Sequence, residues 1–123
     1  MKQLLLVFLG GGLGSFFRYW ISKQFTTLEN GFPYGTFIVN ITGSLLIGLI
    51  LGYALKNNSL NSNTVLFLAT GICGGFTTFS AFAYENLAFL KAGDITSFAL
   101  YAGTSLIFGF VAVFLGMWLI KFI

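Results

Sequence analysis

The residues best suited to chemistry lie in one run, Gly71-Ile72-Cys73-Gly74-Gly75-Phe76-Thr77-Thr78-Phe79-Ser80-Ala81-Phe82, with Glu85 just behind it. Glycines weaken a helix by about 1 kcal/mol each relative to alanine. Adjacent threonines offer hydroxyls to the backbone groups that a weakened helix releases. Gly74-Gly75 followed by Thr77-Thr78 therefore predicts a break, against the plainer reading of a continuous helix with close glycine packing. Carbonyls released inside a membrane need a neighbouring helix, water or a cation, and half-helix ends hold ions in this way. Phe79, Phe82 and Glu85 recur at spacings of three, near one helix face. The ring edges of phenylalanine carry positive quadrupole charge, so a small anion can meet them without a fixed cation. The chain has 16 phenylalanines, and ordinary packing is the competing role for these two.

Other polar positions fall within apolar surroundings. Asn40 is flanked by Val39 and Ile41. Its amide can donate to an anion or tie two helices together. Tyr101 and Ser105 are four apart and share a helix face, where they can extend a hydroxyl-lined track or pack helices. Arg18 closes the first apolar run, either drawing anions into a vestibule or snorkelling to lipid headgroups. Glu85 is an acid inside an apolar span, which by default marks a functional position.

The elements that must position these residues are membrane spans. The hydrophobic fraction is 57% and the charged fraction 7%, far below the roughly 25% of a soluble domain. A surface this apolar must face lipid. A spanning helix needs about 20 mostly apolar residues. Four segments qualify, about 3–21, 34–55, 64–90 and 97–122, within a single domain covering 1–123. Polar connections separate them, through Thr26, Thr27, Glu29, Asn30, Gly31 and Pro33, then Lys56 to Asn63, then Lys91 to Asp94. Such short links make neighbouring helices antiparallel and leave both termini on one side. Gly10, Gly11, Gly12 and Gly14, with Arg18 after them, argue against a cleaved signal peptide over the first 21 residues.

Several function classes drop out. With no histidine and a lone cysteine, Cys73, clustered His and Cys metal sites are absent, and Cys73 reads as a packing thiol. The acids are Glu29, Glu85 and Asp94, which leaves little for catalysis. The net charge of +3 does not suggest nucleic acid, because Lys2, Lys23, Lys56, Lys91 and Lys121 stand singly at span ends. Lys2, Lys56 and Lys121 fall on the side of the termini; Arg18, Lys23 and Lys91 fall on the other. This even tally fits a chain that inserts in both orientations, though it is also small enough to carry no information. Small residues recur four apart at Gly10/Gly14, Ser44/Gly48/Gly52, Gly71/Gly75 and Ser105/Gly109. Such spacing lets helices approach closely in lipid, and at least one pair is expected at a subunit interface.

Together these residues resemble the Fluc/CrcB family of fluoride channels. The likeness spans nearly the whole chain: Gly10-Gly11-Gly12-Leu13-Gly14 leading to Arg18-Tyr19, Gly35-Thr36-Phe37-Ile38-Val39-Asn40 with Gly43-Ser44, and above all Gly74 to Phe82 with Glu85. The resemblance implies an all-α membrane protein with four transmembrane helices, the third broken, paired as an antiparallel, dual-topology homodimer with two pores. It implies a fluoride-selective channel, not an enzyme, in the bacterial inner membrane, where fluoride leaves the cell passively. Phe79 and Phe82 match the pore phenylalanines and Asn40 the pore asparagine. Thr78, Ser80, Tyr101 and Ser105 match positions on or near a polar track. Gly74 and Thr77 match residues whose backbone carbonyls hold a structural sodium ion at the dimer interface. Gly109 departs from the family, which often has a hydroxyl there. The small proton-coupled multidrug exporters are similar in size, span number and dual topology, but carry a glutamate in the first helix that this chain lacks. A non-transporting assembly subunit is a second alternative, distinguished by partners without ion flux.

Overall fold

Four helices long and apolar enough to cross a bilayer form where the hydropathy pattern puts them. They are seen in a computed structural model that describes residues 1–25, 31–58 and 60–123, the side chain at position 57 excepted. The expected polar connection through Thr26, Thr27, Glu29 and Asn30 lies outside the described residues, as does Ser59. Helix α1 covers Lys2–Phe25 and α2 covers Tyr34–Asn57. At 1.5 Å per residue, 24 residues reach about 36 Å, enough for a hydrocarbon core of about 30 Å. Pro33 stands just before α2, where its missing N–H costs nothing, and Asn58 ends the helix in the left-handed region at φ 45°.

The third span is composite. It starts as α3 (Ser62–Val65), where the Asn61 side chain accepts the Asn63 N–H at 3.0 Å. It widens to a π-helical stretch over Leu66–Cys73 and tightens again as α4 (Gly74–Phe76). Thr77 (φ −82°, ψ 155°) and Thr78 (φ −146°, ψ 111°) are extended. Helix α5 follows over Phe79–Lys91, its first turn capped by Thr78 Oγ1, which accepts the Ala81 N–H at 3.2 Å. Gly93 turns the chain at φ 75°. Asp94 then caps α6 (Ile95–Leu119) by accepting the Ser97 N–H at 3.1 Å, and a 3₁₀ turn over Ile120–Phe122 follows. The hydrogen bonds from Ser97 hold the Asp94 carboxyl below the usual carboxylate range.

Two close packings organise these spans: α1 lies along the first half of the third span, and α2 lies along α6. Both rest on glycine. A Cβ added to Gly75 would sit 2.9 Å from Gly11 Cα, and one added to Gly71 would sit 2.9 Å from Gly10 Cα. On the other seam, a Cβ at Gly116 would lie 2.9 Å from the Gly48 carbonyl carbon. The small-residue runs at Gly10/Gly14, Gly71/Gly75 and Ser44/Gly48/Gly52 are thus used within one chain. Their spacing does not itself call for a second subunit, because backbone contact inside the four-helix unit already accounts for it.

The interior is small, as a lipid-facing protein of this length requires. Val39 and Tyr101 are fully enclosed, with Cys73, Phe76 and Ala112 nearly so. Most large apolar side chains point outward. At the end that carries the termini, Lys56 Nζ donates to the carbonyls of Ile120 (3.0 Å) and Lys121 (3.4 Å), joining the ends of α2 and α6.

Candidate functional site

The extended pair Thr77-Thr78 leaves backbone groups that a continuous helix would have satisfied, and side chains take them up. Asn40 meets Thr78 twice. Its Oδ1 accepts the Thr78 N–H at 2.7 Å and its Nδ2 donates to the Thr78 carbonyl at 3.1 Å. This amide clamp is built from α2, four residues after Thr36 and four before Ser44, so the three polar residues share one helix face. Thr78 is 8% exposed, so its backbone groups have little access to solvent. Asn40 therefore does tie two elements together, and its second amide hydrogen remains available to a ligand.

The same diversions release two carbonyls. In an α-helix the amides of Thr78 and Ala81 would bond the carbonyls of Gly74 and Thr77. Here Thr78 N–H goes to Asn40 and Ala81 N–H goes to the Thr78 hydroxyl. Among the described residues, no hydrogen bond outside the helices ends on either carbonyl. Gly75 fares differently: its carbonyl accepts the Ser15 hydroxyl at 3.4 Å, and Ser15 in turn accepts from Arg18 Nη2 at 3.4 Å. Arg18 thus stands on α1, joined to the third span through Ser15.

An open groove of about 370 Å³ lies at this point. Asn40, Gly74, Thr77, Thr78, Phe79, Phe82 and Ser105 all line it, with Gly43, Ser44 and Ile47 from α2. Phe79 and Phe82 stand with ring centroids 5.9 Å apart at 44°, and Phe79 is 79% exposed. Ser80 adjoins through a hydroxyl contact of 3.3 Å with Thr78. Among the described residues, the enclosed Ser105 hydroxyl and Asn86 Oδ1 have no hydrogen-bond partner. Gly109 lies beside Ser44: a Cβ there would be 3.9 Å from the Ser44 hydroxyl.

Glu85 and Tyr101 sit in the neighbouring layer. The Tyr101 hydroxyl donates to Glu85 Oε2 at 3.2 Å, and the Thr36 hydroxyl donates to Glu85 Oε1. Two hydroxyls so oriented leave their oxygen lone pairs, not their hydrogens, to any further neighbour. The Tyr101 ring is walled by Phe32, Phe82 and Phe89 at centroid distances of 5.3, 5.2 and 6.2 Å. Phe82 thereby touches both the groove and the Tyr101–Glu85 pair. Glu85 and Thr36 also border a second cavity of about 300 Å³.

Sequence reasoning passed over Thr36 and Asn86. The signal for Thr36 was its four-residue spacing to Asn40. Asn86 offered only its polarity beside Glu85; it is buried and donates to the Phe82 carbonyl at 2.9 Å.

The family model described as "CrcB-like protein, Camphor Resistance (CrcB)" matches residues 5–117. A protein of Gloeothece citriformis (strain PCC 7424) is 51% identical over 123 residues, covering 98% of each chain, and bears the name fluoride-specific ion channel FluC. Relatives of the same name from Flavobacterium psychrophilum and Thermus thermophilus are 43% and 47% identical, covering 98% and 94% of this chain and 98% and 93% of their own. With four bilayer-length helices and a family match over nearly its full length, the chain is a multi-pass membrane protein and belongs to the CrcB-like family.

Proposed function

We propose that this protein is a fluoride-selective channel of the bacterial inner membrane that lets cytoplasmic fluoride leave passively. The groove carries the proposal. It collects an amide, hydroxyls and two phenylalanine rings at the point where the third span departs from helix. The name borne by the relatives, fluoride-specific ion channel, supports the same reading.

Fluoride holds its water tightly, and burying a bare ion is very costly. A pathway must therefore replace water stepwise and still bind weakly enough to release the ion. Asn40 offers its second amide hydrogen, and the ring edges of Phe79 and Phe82 offer positive quadrupole charge. The hydroxyls of Thr78, Ser80 and Ser105 continue the track. Tyr101 and Thr36 hold Glu85, and Arg18 draws anions toward the entrance.

Two copies pair antiparallel in this reading, giving two pores. The exposure of Phe79 and the open position of Gly74 support a second copy against this face. A structural sodium ion fits the unpartnered carbonyls of Gly74 and Thr77, since hard cations take backbone oxygens in place of water. Paired copies would double that oxygen set, and the ion would fix the two third spans against each other.

Liposomes loaded with potassium fluoride, with chloride-loaded controls, test the proposal. After valinomycin, a fluoride electrode should report rapid efflux from fluoride-loaded liposomes alone. No release from well-folded protein would sink the channel reading, and drug-driven proton uptake would replace it with the exporter alternative.

A further inference from the structure

We propose that the cavity between the C-terminal ends of α2 and α6 is a binding site for an anionic phospholipid. The cavity measures about 590 Å³ and shares no lining residue with the ion groove. Lys56 and Lys121 line it together with Gly52, Phe114, Met117 and Trp118. Its composition follows the layout of a lipid: cations at one end, aromatic and aliphatic surface at the other.

A Cβ at Gly52 would stand 3.0 Å from Met117 Cα and 3.3 Å from Ile120 Cγ1, so α2 and α6 meet closely at this edge of the cavity. Phe114 is 66% exposed and Trp118 41%, and both line the cavity. Tryptophan favours the depth where acyl chains meet headgroups.

Charge decides which lipid. Lys56 Nζ donates to the Ile120 and Lys121 carbonyls, which fixes it over the cavity and leaves one N–H for a further acceptor. Lys121 lines the same cavity and adds a second positive charge to it. Two cations in a lining that holds no aspartate or glutamate call for a phosphate that keeps its net negative charge, as in a phosphatidylglycerol. A zwitterionic headgroup would bring its own cation toward the lysines.

Trp118 reports occupancy directly. In a Trp20→Phe background it is the only tryptophan left, since the chain has two. Its fluorescence would be followed in phosphatidylcholine vesicles containing equal mole fractions of chain-brominated phosphatidylglycerol or chain-brominated phosphatidylcholine. The expected result is stronger quenching by the anionic lipid. Each basic residue near such a headgroup is worth about 1 kcal/mol, so Lys121→Gln should lower the relative affinity about fivefold. Lys56→Gln should do the same where it folds; Lys121→Gln keeps the test decisive where it does not, because the Lys121 side chain is not the one that holds the helix ends. Lys91→Gln, at the opposite end, should leave the preference intact. Equal quenching by both lipids, or a preference that survives Lys121→Gln, would overturn the site. Absence of quenching by either lipid would give the cavity to a second copy of the chain, and loss of the preference on adding inorganic phosphate would give the lysines to a free anion; both results also overturn it.

Discussion

Replacing Asn40 by leucine removes the clamp on Thr78 while nearly keeping the side-chain volume. The substitution strands the Thr78 N–H and carbonyl, which now hold Asn40 at 2.7 and 3.1 Å in a residue 8% exposed. A buried polar group left without its partner costs about 1–3 kcal/mol in water-soluble proteins. Within a bilayer an interhelical side-chain hydrogen bond contributes about 0.6 kcal/mol on average, because the unfolded chain also finds partners there. Two stranded groups therefore cost between about 1.2 kcal/mol on the membrane scale and about 6 kcal/mol on the soluble scale. Thr78 is 8% exposed, and the neighbouring Thr77 hydroxyl is occupied by the Cys73 carbonyl at 2.9 Å. With partial rescue by water in the groove, about 2 kcal/mol is expected, a shift of about 30-fold in the folded-to-unfolded ratio. Reversible unfolding in mixed micelles measures it, alongside fluoride efflux from liposomes. If Asn40→Leu abolished flux but changed unfolding by less than about 0.5 kcal/mol, the ordinary scatter of neutral substitutions, the clamp would not be what holds Thr78.

Three further outcomes follow from other contacts in the structure. Phe79→Ile or Phe82→Ile should lower fluoride efflux while leaving the oligomeric state unchanged in size-exclusion chromatography; unaltered efflux in both would remove the ring edges from the pathway. Gly75→Ala should destabilise the fold by about 1–3 kcal/mol, because its Cβ would stand 2.9 Å from the Gly11 Cα, whereas Gly103→Ala enters open space and should gain up to about 1 kcal/mol of helix propensity; unfolding midpoints of both variants check the contrast. Asp94 has its folded pKa below the unfolded value of about 3.9, so its contribution is full above that value and is lost as pH falls through the depressed folded pKa. The difference in thermal midpoint between the parent and Asp94→Asn should accordingly shrink toward zero on acidification, and a difference that stays constant below pH of about 3 would remove the carboxylate's role.

The four spans were legible because twenty-odd apolar residues have few soluble alternatives, and their limits move only by a few residues at each end. The pairing of helices was less legible. Gly10/Gly14 and Gly71/Gly75 announce close packing, but spacing alone does not say whether the facing backbone belongs to the same chain. The π-helical register over Leu66–Cys73 has no residue signature in a run of apolar and small side chains. In the site, Asn40, Thr78, Phe79, Phe82 and Ser105 stood out by polarity or spacing and do border one groove. What Asn40 touches was not legible, since an amide serves a ligand or a backbone equally well. Thr36 was missed because a threonine in the first turn of a span is common. Its meaning appears only once Glu85 is brought to it from 49 residues away.

The clamp between Asn40 and Thr78 also imposes an order on biosynthesis. The interrupted third span cannot satisfy its own backbone in lipid, so it needs α2 beside it when it leaves the translocon. Asn40 precedes Thr78 by 38 residues, and at about 5–20 residues per second it is made about 2–8 s earlier. The helix that completes the hydrogen bonding is already made when the segment that requires it emerges. A circular permutation starting the chain between α2 and the third span would reverse this order, and the newly made Thr77-Thr78 pair would then wait in the bilayer for an amide not yet synthesised.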